Sequence, residues 1–205
     1  MSTSVPIWLA SGSSRRRRLL EEAGVEVMVK PSDLDDADLT KGSVQPELWV
    51  MALAYFKARR VSDLLNSDPV AQSVRIRVIL GADTLCVCED EVFGQPQDMS
   101  EATHMIRRMC NRVHRTMTGV CLLAFPTGRR FLTVDQARIT VGDVSERRIE
   151  EYIASGQWRG KAGGYNLSER IEAGWPISCE GDPATVMGLP MRKLPDWIKR
   201  FRISL

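Results

Sequence analysis

Four consecutive arginines, Arg15, Arg16, Arg17 and Arg18, directly follow the small polar run Ser11-Gly12-Ser13-Ser14. The serines and glycine suit the start of a helix. A helix start carries roughly half a positive charge and favours acidic side chains, so arginines in its first turn are repelled. A bound polyanion reverses that sign. Backbone N–H groups at a helix start already form an anion site, and guanidinium groups add bidentate phosphate contacts. The alternative is a solvated basic patch, with Arg17 and Arg18 facing water. The G-x-x-x-x-G-K-[ST] spacing of a P-loop is absent. Lys57 is the second such residue. It shares a helical face with Val50, Ala54, Val61 and Leu64, at offsets that place all five on one stripe. An ammonium there needs a phosphate or carboxylate partner, unless it snorkels to water. The third is Asp83, after Val78-Ile79-Leu80-Gly81-Ala82. A carboxylate at the end of an apolar strand lies where α/β sheets place ligands. It can hold Mg²⁺ or take a proton from water, or simply cap a turn. The fourth is Lys161-Ala162-Gly163-Gly164-Tyr165, where glycines permit close backbone approach and Lys161 adds charge. Alone, it reads equally well as a plain glycine loop.

These residues need elements to position them. Residues 5–10 form an apolar run, read as a buried strand. A helix over 15–23 follows, with Gly24 as its C′ residue. Residues 30–43 are polar and acidic and read as a loop. Gln45-Pro46-Glu47 opens a second helix to about Leu65, and 66–73 is a linker. Residues 77–87 read as a strand interrupted at Gly81-Ala82-Asp83-Thr84. Asp98 and Glu101 have capping-box spacing for a helix to Cys110, and Asp143 and Glu146 have it for a helix ending near Gly156. Residues 115–125 and 131–141 are candidate strands around Pro126-Thr127-Gly128. Residues 156–190 read as irregular, and 193–201 as a terminal helix. Interleaved strands and helices predict an α/β protein.

Composition removes several classes. The chain has 205 residues, 43% hydrophobic and 26% charged, with a net charge of +2. That charge is too mild to predict nucleic-acid binding, and there is little aromatic interleaving near the arginine run. No apolar run approaches the roughly 20 residues of a membrane span, and the N-terminal pattern does not suit a signal peptide. Cys86, Cys88, Cys110, Cys121 and Cys179 are odd in number and contain no C-x-x-C pair, which argues against zinc. They read as reduced thiols, and so point to a cytoplasmic protein. His104 and His114 lack a third ligand, and no spacing recommends a Ser-His-Asp triad.

Taken in order, the motifs resemble the Maf family of nucleoside triphosphate pyrophosphatases. Leu9-Ala10-Ser11-Gly12-Ser13-Ser14-Arg15-Arg16 resembles L-A-S-x-S-P-R-R. Leu53-Ala54-Tyr55-Phe56-Lys57-Ala58 resembles L-A-x-x-K-A, and Gly81-Ala82-Asp83-Thr84 matches G-A-D-T. Lys161-Ala162-Gly163-Gly164-Tyr165 resembles K-A-G-x-Y, and Val186-Met187-Gly188-Leu189-Pro190 resembles V-x-G-L-P. Arg112-Val113-His114 and Thr118-Gly119 fit a further family stretch. The resemblance implies hydrolysis between the α and β phosphates of a nucleotide, some of them non-standard or modified. It also implies a divalent cation, Mg²⁺ or Mn²⁺. The implied fold is a single α/β domain over 1–205, like that of inosine triphosphate pyrophosphatase. It has a curved mixed sheet flanked by helices, two lobes around a central cleft, and often a homodimer. Family members have been linked to septum formation. By resemblance, Asp83 is the proton acceptor, and Ser11, Arg16 and Lys57 bind substrate. Asp83 and Asp36 are metal ligands. Arg15, Thr84 and Ser168 set base choice, and Asp36, Gln95, Lys161 and Glu169 are secondary positions.

The chain also departs from the pattern. Ser14 replaces the family proline, and K-P-x-D reads Gln95-Pro96-Gln97-Asp98, losing a lysine. The acidic pair D-E reads Asp35-Asp36, S-G-R reads Cys110-Asn111-Arg112, and Ser168 stands where glutamine is usual. Arg15 and Thr84 look like the branch acting on dTTP and UTP. Ser168-Glu169 and Gly181-Asp182-Pro183 lean toward the branch acting on 7-methyl-GTP. The lost lysine and glutamine leave a second expectation open, a weak or inactive nucleotide-binding regulatory protein. The expected partner is a nucleoside triphosphate, with no membrane and no nucleic acid.

Overall fold

The structure is a computed structural model that describes residues 5–34, 39, 41–69 and 76–204. Among these residues the strands are β1 (Ile7–Leu9), β2 (Val27–Val29), β3 (Val78–Cys88), β4 (Glu91–Phe93), β5 (Arg112–Ala124), β6 (Arg130–Val141) and β7 (Ile177–Glu180). The helices are α1 (Ser14–Glu22), α2 (Pro46–Asn66), α3 (Met99–Met109), α4 (Glu146–Ala154), α5 (Leu167–Glu172), α6 (Pro183–Val186) and α7 (Leu194–Ile203). The seven strands form one sheet in the order β2-β1-β3-β5-β6-β7, with β4 paired to β3. β1 runs parallel to β2 and β3, while β3–β4 and β6–β7 are antiparallel. The expected α/β class and mixed sheet are therefore observed.

The chain divides into two compact units. The first comprises Met1–Asp83, Thr118–Asp135 and Gly188–Leu205, and the second Thr84–Met117 and Gln136–Met187. The first unit's core joins Trp8, Ala54, Ala58, Val61, Leu65, Ile79, Cys121 and Leu123. The second unit's core joins Cys86, Met105, Ile106, Ile139, Ile153, Trp158, Tyr165 and Trp175.

Helix α2 sets the geometry of the first unit. Pro46 at its first turn fixes φ where no N–H is missed, and its buried stripe is Val50, Leu53, Ala54, Lys57, Ala58, Val61, Ser62 and Leu65. Leu65, rather than the expected Leu64, completes the buried face. Two glycines let this helix lie directly on the sheet. A Cβ on Gly81 of β3 would stand 2.1 Å from the Ala54 carbonyl oxygen, and one on Gly119 of β5 would stand 2.3 Å from that of Val50. Ala54 and Ala58 complete the small-residue contact from the helix side.

Several expectations need correction. β3 is not interrupted at Gly81: it runs unbroken from Val78 to Cys88, so Asp83 sits within the strand and is buried. The helix start near Asp143 uses Ser145 as its N-cap. Asp143 instead accepts a hydrogen bond from Asn111 Nδ2 at 3.2 Å. Residues 156–190 are not irregular, because they contain α5, β7 and α6. β2 and β4 had no clear sequence signal, since each has only three residues. Gly24 follows α1 with φ +72°, and Asp98 caps α3 by accepting from Glu101 N at 2.8 Å. The loop and linker readings fall partly on residues 35–38, 40 and 70–75, outside the described residues.

Candidate functional site

The arginine turn is held by β1. Leu9 pairs in register with Leu80, and Ala10 N donates to the Leu80 carbonyl at 2.8 Å. The chain then leaves the sheet beside the β3 segment that leads to Asp83. Ser13 caps α1, accepting from Arg16 N at 3.4 Å, and Ser11 Oγ accepts from Ser13 N at 3.2 Å. The side chain of Arg16 is fixed twice. Its Nη1 donates to Ser11 Oγ at 3.1 Å, and its Nε donates to the Gly188 carbonyl at 3.0 Å. Gly188 has φ +111°, and a Cβ there would stand 3.0 Å from Arg16 Nε. The backbone angle favours glycine, and a Cβ would crowd the Arg16 side chain. Arg17 and Arg18 pair with Glu21 and Glu22 along the exposed side of α1, as the solvated reading of those two predicts. Arg15 is half-buried.

Lys57 and Asp83 meet directly. Nζ donates to Oδ1 at 2.5 Å, with Lys57 9% and Asp83 6% exposed. The apolar-stripe lysine thus finds a carboxylate rather than water. A buried pair of this kind contributes little net stability, but losing one partner strands the other charge. Ser11, Arg16, Lys57, Asp83 and Gly188 all belong to the first unit.

Thr84, Gln95, Lys161, Ser168 and Glu169 lie in the second unit. Thr84 is half-buried and Gln95 is exposed. Gly163 N donates to the Gly94 carbonyl at 2.9 Å, and Tyr152 OH donates to the Gly164 carbonyl at 2.8 Å. The glycine stretch is therefore anchored, and Gly163, at φ +67°, leaves no room for a Cβ beside Cys86 Sγ. Lys161 is buried and forms an ion pair with Glu169. Ser168 Oγ donates to Asn166 Oδ1 at 2.9 Å, and Asn166 caps α5 by accepting from Glu169 N at 3.3 Å. The structure thus groups Lys161, Ser168 and Glu169 around one helix start. Asp36 lies outside the described residues.

Sequence reasoning missed Gly188 as the anchor of Arg16 and Asn166 as the cap that orients Ser168. A glycine followed by Leu-Pro was the only hint of the first, and an Asn three residues before Glu169 the only hint of the second. It also missed the pairing of His114 with Tyr165, whose hydroxyl lies 2.8 Å from Nε2. His114 is 1% exposed and, among the described residues, its Nδ1 has no hydrogen-bond partner. Burial holds its pKa down at about 4. Unfolded histidine protonates near pH 6.5, so between about 6.5 and 4 the unfolded chain binds the extra proton. Stability is complete above that window and falls as pH drops through it. The expected loss is about 3 kcal/mol by pH 4. Urea unfolding midpoints at several pH values should show this slope, and His114→Gln should flatten it.

Among the described residues no three of His, Cys, Asp and Glu gather into a metal-binding group. A single carboxylate is still suitable chemistry for Mg²⁺, which prefers oxygen donors and usually takes one or two carboxylates plus phosphate oxygens and water. Asp83 offers that donor.

The sequence model of the family described as Maf-like protein matches residues 6–201. A dTTP/UTP pyrophosphatase of Salinibacter ruber is 35% identical, over 95% of this chain and 90% of its own. One from Rhizobium meliloti is 34% identical, over 93% of this chain and 90% of its own. One from Moorella thermoacetica is 33% identical, over 96% and 95%.

Proposed function

The chain belongs to the Maf family, and on that premise we propose that it is a nucleoside triphosphate pyrophosphatase, hydrolysing the α–β phosphate bond to a nucleoside monophosphate and pyrophosphate. The observation that carries this reading is the buried Lys57–Asp83 contact at 2.5 Å, within the same unit as the Arg16 turn. Phosphoryl chemistry needs positioning and charge neutralisation more than covalent catalysis. Arg16, already held by Ser11 and the Gly188 carbonyl, presents a fixed guanidinium to the phosphates. The turn of α1 adds backbone N–H groups to the same anion. Lys57 orients the Asp83 carboxylate and supplies a second positive charge. Asp83 takes the proton of the attacking water, the water oxygen bonds to phosphorus, and the α–β bridge breaks with pyrophosphate leaving. Asp83, with Asp36 as a second carboxylate, is the residue that would hold Mg²⁺ or Mn²⁺. When bound, that ion neutralises phosphate charge and polarises the reacting oxygens.

For base choice we propose Arg15, Thr84 and Ser168. Arg15 and Thr84 match the pattern of dTTP- and UTP-acting members, and the relatives named above carry that activity in their names. The five free cysteines suit a reducing, cytoplasmic setting. A pyrophosphate-release assay over dTTP, UTP, 7-methyl-GTP and the standard nucleotides, with Mg²⁺ or Mn²⁺, tests the proposal. dTTP and UTP should give the highest kcat/KM. Absence of pyrophosphate from every nucleotide, with binding retained, would favour the regulatory reading. That reading is supported by Gln95, which is exposed and uncharged where the family has lysine.

A further inference from the structure

Several surface arginines are matched by a carboxylate. Arg17, Arg59, Arg107, Arg108 and Arg147 all form ion pairs with Asp or Glu. A different arrangement occurs at the end of α7. In the first unit, the start of β6 and helix α7 frame an open pocket of about 330 Å³ lined by Arg129, Arg130, Phe131, Trp197, Arg200, Phe201 and Ser204. Three arginines line it and, among the described residues, no Asp or Glu does. Arg129 donates to the Ser204 carbonyl, and Arg130 lies 5.0 Å over the Tyr55 ring. Neither contact cancels a charge. Among the described residues, Arg130 and Arg200 form no ion pair. Asp196, one turn before Arg200 on α7, does not line the pocket. Like charges gathered this way repel one another, and an anion turns the repulsion into attraction.

The rest of the lining narrows the anion. Phe131 and Trp197 are half-buried and their rings are 5.8 Å apart, so each keeps exposed aromatic surface beside the guanidinium groups. A planar ring stacks on such surface, while arginines grip phosphate by paired N–H groups. The volume lies at the low end of small-ligand cavities, roughly 300–1,000 Å³, which favours one mononucleotide over a nucleic-acid strand. We propose that this pocket is an accessory site for a nucleoside monophosphate, with phosphate on Arg129, Arg130 and Arg200 and the base against Trp197 and Phe131. The assignment does not depend on chemistry at Asp83, although a nucleoside monophosphate is also the product proposed for that chemistry.

Calorimetric titration of the whole chain with UMP tests it, comparing the wild type with Arg130→Gln/Arg200→Gln and with the single charge reversal Arg200→Glu. Both positions are exposed, so the variants should fold. The wild type should bind one UMP more per chain than the double variant, and Arg200→Glu should weaken that site by roughly tenfold to a hundredfold. Inorganic phosphate should compete for it weakly, and uridine without phosphate should not bind. Pyrophosphate release at saturating substrate should stay within about twofold of wild type, because these arginines lie outside the residues assigned to the reaction. One UMP bound by the wild type and none by the double variant would support the pocket while counting against nucleotide binding at the Arg16 turn. Equal stoichiometry and affinity in all three proteins, or uridine binding as tightly as UMP, would overturn the proposal.

Discussion

Asp83→Asn is expected to lower kcat for pyrophosphate release by roughly two to four orders of magnitude, the range set by loss of a positioned base. The substitution separates chemistry from folding. Asparagine has the same shape, and its amide oxygen can still accept from Lys57 Nζ, which now reaches Asp83 Oδ1 at 2.5 Å. The buried ammonium therefore keeps a partner. Thermal unfolding should shift far less than activity falls. Substrate affinity should hold within about tenfold if Arg16 and Lys57 carry most of the phosphate binding. Stopped-flow or end-point pyrophosphate assays, together with a melting curve, read both quantities. Turnover equal to wild type would remove Asp83 from the reaction.

Gly81→Val is expected to have the largest effect on stability, about 4 kcal/mol or more. Even the first added carbon would stand 2.1 Å from the Ala54 carbonyl oxygen and 2.9 Å from Ala58 N. Both atoms belong to the α2 backbone, which cannot rotate away as a side chain can. The helix must lift from β3, and it carries Lys57. Urea denaturation should show a lower midpoint, and the surviving folded fraction should lose specific activity because Nζ no longer meets Asp83. A variant with wild-type midpoint and activity would contradict the close approach of α2 to the sheet.

The two expectations differ in how far the sequence foretold them. Lys57 was legible because a lysine on the stripe of Val50, Ala54 and Val61 demands a partner, and helical periodicity is a strong local signal. Asp83 was legible as a carboxylate in an apolar segment, but its position was not. Gly81 read as a strand break, whereas the structure uses it as the flat spot on which α2 rests. That distinction depends on Ala54 and Ala58 of another element, which no local pattern encodes. The same limit hid Gly188, whose carbonyl fixes Arg16 across 172 positions of sequence. It also misassigned the start of α4, where Asp143 and Glu146 had the spacing of a capping box but Asp143 turned to Asn111 instead. The short strands β2 and β4 exist through pairing with β1 and β3, not through their own composition. The arginine run divided as its helix phase requires, with Arg17 and Arg18 on the exposed side of α1 and Arg16 turned inward.

The central claim is hydrolysis of the α–β bond by water activated at Asp83, and product analysis in water labelled with heavy oxygen tests it most directly. Wild-type protein, UTP or dTTP and Mg²⁺ should yield nucleoside monophosphate and pyrophosphate in equal amounts, with one labelled oxygen incorporated per turnover. Nucleoside diphosphate and inorganic phosphate as the products, or no incorporation of label, would contradict it.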